Sequence, residues 1–159
     1  MIGRQPIVMA LEEQVAELLS REAIKELRYR YCLCVDEGRW DEFLELFLPE
    51  AQIRHHPSDS TYSGHEEIDE FATHLEEDHY FTVHMVHNPL LRIDGDSAEG
   101  RWEFEVVEMV ADETVEWLQG CYEELYRETD TGWKFETIEV DFNYRADFYD
   151  MSQVQSMVR

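Results

Sequence analysis

Apolar side chains recur at three- and four-residue steps through the first quarter of the chain: Leu11, Val15, Leu18, Leu19, Ile24, Leu27, Tyr31 and Val35. That spacing predicts a helix over residues 11–36. Ser20 is placed to cap a second segment, with Glu22 in its first turn, and Gly38 is placed to end the helix. Trp40, Phe43, Leu44 and Phe47 then share one face of a short second helix, ended by Pro49. Residues 51–55 read as a short strand and 56–64 as a polar loop. Ile68, Phe71, Ala72 and Leu75 mark a third helix. Its other face carries Glu66, Glu67, Asp69, Glu70, Glu76 and Glu77 and reads as solvated. Beyond Asp78 the period falls to two. Strands are predicted over 81–93, 98–110, 115–127 and 133–144, with turns at Asp94-Gly95-Asp96 and Asp130-Thr131-Gly132. Short turns between long strands imply an antiparallel meander. Three helices followed by such a sheet predict an α+β fold, with the helices packed on one face of the sheet. One domain is expected over 1–150, with a loose tail at 151–159.

Composition narrows the partners. The 159 residues are 43% apolar and 13% aromatic, enough for one buried core. Thirteen Lys and Arg stand against 37 Asp and Glu, a net charge of −24, and only Lys25 and Lys134 are lysines. Nothing there supplies the broad cationic footprint that a nucleic acid or an anionic membrane surface would need, so neither is expected as a partner. No apolar run approaches the length of a membrane span, and residues 1–10 lack the pattern of a secretory signal. Cys32, Cys34 and Cys121 are odd in number and show no metal-ligand spacing, which suits reduced thiols in a cytoplasmic protein.

A curved sheet closed by helices encloses a pocket, so the polar side chains that point inward are the candidates for chemistry. On the second long strand, Trp102, Phe104, Val106 and Glu108 share one parity, and Arg101, Glu103 and Glu105 the other. The first set is the more apolar and is expected to line the interior, which places Glu108 at or near the pocket. His84 and His87 have opposite parity, as do His55 and His56, so neither pair makes a metal site on a strand, and no metal is expected. Asp36 sits at the end of the first helix.

These pieces carry a resemblance. Residues 24–31 and 34–41, His84-Met85-Val86-His87-Asn88-Pro89, the turn Ile93-Asp94-Gly95-Asp96, Gly100-Arg101-Trp102, Tyr122 to Arg127 and Gly132-Trp133-Lys134-Phe135 together resemble the SnoaL-like branch of the NTF2-like superfamily. The order and spacing run through nearly the whole chain. The resemblance implies a cone of three N-terminal helices on a strongly curved, mainly antiparallel sheet. The likeness leans towards the bile acid 7α-dehydratase and scytalone dehydratase group, in which a helix Asp and a strand His form a dyad helped by a Tyr. Tyr31, Asp36 and His84 stand at the matching positions. Val106 stands where the bile acid enzyme has a strand Asp, and the position of its last-strand Arg falls near Asp141.

The resemblance thus implies a lyase (dehydratase) or isomerase that needs no cofactor. Its substrate would be a hydrophobic ring compound such as a sterol or polyketide. Tyr31, Asp36 and His84 would be catalytic, and His55, Trp102, Phe104, Val106 and Glu108 would bind substrate. Homodimers or homotrimers are common in the superfamily. The alternative is a binding or assembly module of the kind represented by the β subunits of ring-hydroxylating dioxygenases.

Overall fold

The computed structural model describes residues 5–110 and 114–148, so the expected tail lies outside the described residues. α1 (Gln5–Glu37) runs unbroken through Ser20. Nothing in its interior forces a stop, and Glu17–Arg21 and Glu22–Lys25 pair along its surface. Its end is built as expected. Gly38 takes φ +65°, the Gly38 amide donates to the Val35 carbonyl, and the Arg39 amide donates to the Cys34 carbonyl. These are the two hydrogen bonds of a glycine-terminated helix end.

The apolar stripe of α1 divides in two. Ile24, Leu27, Tyr31 and Val35 are buried, whereas Leu11, Val15, Leu18 and Leu19 are exposed. Periodicity marks a helix face but not how far along the helix a partner reaches.

α2 (Trp40–Leu44) is shorter than the sequence pattern implied. Phe47 and Pro49 belong instead to β1 (Phe47–His56), so Phe47 enters the core from a strand. The polar stretch read as a loop contains β2 (Ser60–Ser63), which pairs antiparallel with β1. α3 (Gly64–Asp78) follows. The long strands are β3 (His79–Asp94), β4 (Ser97–Val110), β5 (Val115–Thr129) and β6 (Gly132–Phe148).

The six strands lie in the order β2-β1-β6-β5-β4-β3. β3 to β6 form the expected meander, but β1 pairs parallel with β6, so the sheet is mixed and is not closed on itself. The parallel pair is a long-range contact that local turn chemistry cannot announce.

Helices and sheet meet over an aromatic core. Tyr31, Phe43, Phe47 and Phe135 pack in tilted and edge-to-face contacts, with neighbouring ring centroids 5.1–5.7 Å apart. Trp102, Phe104 and Val106 of β4 are buried, as the alternation predicted. Gly120 of β5 lies at a register shift against β6. A Cβ there would stand 2.1 Å from the Asp141 carbonyl oxygen and 2.6 Å from the Phe104 ring. Only glycine leaves room there for both the Asp141 carbonyl and the Phe104 ring.

Candidate functional site

The end of α1 and the middle of β3 bring Asp36 and His84 together across 48 positions of sequence. His84 Nδ1 lies 2.6 Å from Asp36 Oδ1. The backbone amide of His84 donates to Asp36 Oδ2 at 2.9 Å, so the carboxylate is held at both oxygens. A carboxylate can only accept, which puts the imidazole proton on Nδ1 and leaves Nε2 as the basic nitrogen. Thr82, 9% exposed, stands beside the pair, its hydroxyl 3.5 Å from Asp36 Oδ1 and 3.3 Å from His84 Nδ1. The pair is shielded without being sealed: the His84 side chain is 12% exposed and that of Asp36 18%.

His84 opens onto a cavity of about 160 Å³ between the helices and the inner face of the sheet. Tyr31, His55, Phe104, Val106 and Glu108 also line it, joined by Thr82 and Tyr122. Asp36 does not; it supports His84 from behind, where it borders a second hollow of about 220 Å³ beside Trp40 and Glu76. Trp102 shares the parity of Phe104 but lies further along β4, outside the cavity lining, fully buried with its indole N–H donating to the Tyr126 hydroxyl at 3.0 Å. Parity sets the face of the sheet; distance along the strand decides whether the side chain meets the cavity or the packed core. A wider groove of about 730 Å³ crosses the outer sheet face near Arg54, Arg101 and Leu125, away from the dyad.

Burial tunes the polar groups around the cavity. It pushes the Tyr31 hydroxyl up to about 12 against the pull of Arg28, so Tyr31 is a hydrogen-bond donor at neutral pH. It also raises Tyr122 well above the ordinary phenol range. Burial, then the neighbouring His56, lowers the pKa of His55 and favours its neutral ring. His55 is enclosed by Phe71, Phe142 and Tyr62, with ring centroids at 5.3, 6.0 and 6.1 Å. Among the described residues, no three His, Cys, Asp or Glu side chains converge as a metal site. No helix among them is long and apolar enough to cross a membrane.

Arg28, Thr82, Tyr122 and Glu124 escaped the reading of the sequence. Arg28 and Glu124 are both fully buried and approach to 3.3 Å. The Arg28 guanidinium lies over the rings of Tyr122 and Tyr31, 3.6 and 4.2 Å from their centroids. Glu124 in turn accepts from the Tyr126 hydroxyl. The signal was there: Arg28 falls within the buried stripe Ile24, Leu27, Tyr31 and Val35, and Glu124 has the same parity as Tyr122 and Tyr126. A charge on an apolar face announces a buried partner, although the sequence does not say which one.

Residues 16–139 match the SnoaL-like domain. The chain belongs to the SnoaL-like family. Among curated relatives, an uncharacterized protein of Mycobacterium tuberculosis is 28% identical over 87 residues, covering 55% of this chain and 59% of its own. The chain therefore spans about three-fifths of the length of the curated relatives it matches. Its fold is that of the hexachlorocyclohexane dehydrochlorinase LinA-type3 from Novosphingobium barchaimii, with a TM-score of 0.81 and 18% identity over 90% of this chain and 99% of the other. A proposed scytalone dehydratase from Novosphingobium aromaticivorans gives a TM-score of 0.80 and 18% identity, covering 86% and 93% of the two chains. An NTF2-like protein with a cystatin-like fold, also from Novosphingobium aromaticivorans, gives 0.66 and 22%, covering 83% and 87%. These likenesses are of fold, which the chain shares with NTF2-like proteins.

Proposed function

We propose that this SnoaL-like protein is a lyase or isomerase that needs no cofactor and acts on a small hydrophobic ring compound. The hydrogen bond between Asp36 and His84 at the wall of an aromatic cavity carries the reading. His84 Nε2 takes a proton from a carbon next to the carbon or carbonyl that is to accept the electron pair. Asp36 steadies the imidazolium that forms. Tyr31 donates to the oxygen on which negative charge develops. In a dehydration the imidazolium returns its proton to the departing hydroxyl, so water leaves and the base is regenerated. In an isomerisation the proton returns to another carbon.

The cavity volume favours a small substrate. An apolar cavity of about 150 Å³ engineered into another protein accommodates one benzene ring. A volume of about 160 Å³ therefore suits one ring better than the fused rings of a sterol. The names of the structural neighbours, a dehydrochlorinase and a proposed scytalone dehydratase, support elimination chemistry.

The test is His84→Ala assayed across a panel of single-ring hydroxy-ketones. We expect turnover of an accepted substrate to fall by about 10²–10⁴-fold, the usual worth of a positioned base. Undiminished turnover would remove His84 from the mechanism. Ring binding without turnover in the unaltered protein would favour a binding or assembly module instead.

A further inference from the structure

The Arg28–Glu124 pair is oriented with respect to the cavity. Neither residue lines the cavity, but the two rings against which the Arg28 guanidinium lies, Tyr31 and Tyr122, both do. Glu124 faces the other way, towards the Tyr126 hydroxyl, which also accepts from the Trp102 indole. Neither Tyr126 nor Trp102 lines the cavity. The pair is thus a buried dipole with its positive end behind the cavity wall and its negative end held in the core by the Tyr126 hydroxyl, itself held by the Trp102 indole. Both side chains of the pair are fully buried, so its field is weakly screened. The guanidinium nitrogens find no hydrogen-bond partner among the described residues; the cation lies against the rings of Tyr122 and Tyr31, with Phe135 further off at 5.7 Å, and beside Glu124.

From this arrangement we infer that Arg28 and Glu124 are a specificity-determining pair, selecting ring compounds whose oxygen carries or develops negative charge, such as phenols and enolisable ring ketones. The inference rests on the reading of the cavity as a ring-binding site and adds the electrical character of its ligand. Net charge alone points the other way, since a chain of −24 repels anions. The local dipole opposes that field where it matters, at the wall the ring would touch. A buried cation over the face of a tyrosine ring draws charge from it and strengthens its hydroxyl as a donor to an oxyanion, without itself touching the ligand. Arg28 and Glu124 are accordingly positioning residues.

The test uses two probes. 4-Nitrophenol changes colour on ionising, so the ratio of phenolate to phenol affinity is read from the displacement of its titration when bound. 4-Nitroanisole presents a similar ring with no ionisable hydroxyl. His55, His84, Glu108, Tyr31 and Tyr122 also face the cavity and, like Cys32 beside Arg28, are common to every variant, so comparison between variants isolates the pair. In Arg28→Met/Glu124→Gln, which removes both charges and keeps an acceptor for Tyr126, the ratio should fall about tenfold, one unit in the probe's midpoint. In Glu124→Gln alone the cation is no longer balanced, and the ratio should rise above that of the unaltered protein. Opposite shifts are not what simple loosening of the core would give. Ratios within about twofold of the unaltered protein in both variants would overturn the inference. If 4-nitroanisole binds and the ratios do not respond, only this inference falls. If neither probe binds, the ring-binding reading falls with it.

Discussion

Two side-chain pairs anchored on α1 solve opposite problems. Asp36 and His84 keep some access to solvent and satisfy each other through a 2.6 Å hydrogen bond and a backbone amide, and His84 opens onto the cavity. Arg28 and Glu124 are completely enclosed, approach to 3.3 Å, and present to the cavity only the rings packed on them. The first pair is placed where a proton can be exchanged with a ligand. The second can exchange nothing and acts only through its field and its packing. A buried charge pair is weak evidence of stabilisation, because desolvation offsets much of its attraction. What the contrast teaches is that access to the cavity, more than burial or charge, separates a candidate for chemistry from a group that tunes it.

The sharpest way to break this comparison is to remove one member of each pair. Arg28→Ala leaves Glu124 as an uncompensated buried carboxylate and should cost about 3–5 kcal/mol of unfolding free energy in a urea titration. A loss below about 1 kcal/mol would show that water reaches Glu124, and the dipole would lose its footing. Asp36→Asn should cost less, about 1.5–3 kcal/mol, since it weakens the charged hydrogen bonds from His84 at a partly open site without leaving a buried charge unpaired. Equal losses at both positions would erase the distinction between the two pairs. Gly120→Ala, which drives a methyl group into Asp141 and Phe104, should cost about 1–3 kcal/mol without touching either pair.

The effect of pH is smaller and has a definite sign. Burial and His56 hold the pKa of His55 below its ordinary 6.5, so the unfolded chain takes up that proton first. Its contribution therefore lowers stability as pH falls through about 6.5 and levels off below the folded value. His56 is opposite in sign: its hydrogen bond to Glu139 raises its pKa, so its contribution is present below 6.5 and lost as pH rises through the folded value. Urea midpoints taken between about pH 5 and 8 should show the acid decline reduced in His55→Phe. An unchanged acid limb would mean that His55 is not desolvated by its aromatic surroundings. At the smallest end, Arg92→Ala, which breaks an exposed pair with Glu99, should change stability by less than about 0.5 kcal/mol.

Much of this was legible along the chain because it is local. Helical periodicity from Ile24 to Val35, the glycine stop at Gly38, the alternation of Trp102, Phe104 and Val106, and the turns at Gly95 and Gly132 each depend on neighbours within a few residues. The same periodicity misled where a partner was assumed: Leu11 to Leu19 have the spacing of a buried face and no covering element among the described residues. Phe47 and Pro49 followed a helical pattern yet lie in a strand, because pairing with β6 outweighed local preference.

By itself, the sequence determined the long helices and the four-strand meander, the inward parity of β4 and the α+β class, since backbone preference and apolar periodicity act over short range. Tertiary structure alone decided that β1 runs parallel beside β6, that Trp102 fills the core while Phe104 meets the cavity, and that Arg28 finds Glu124. Those outcomes depend on groups that are distant along the chain becoming neighbours in space, and burial is a property of the assembled fold.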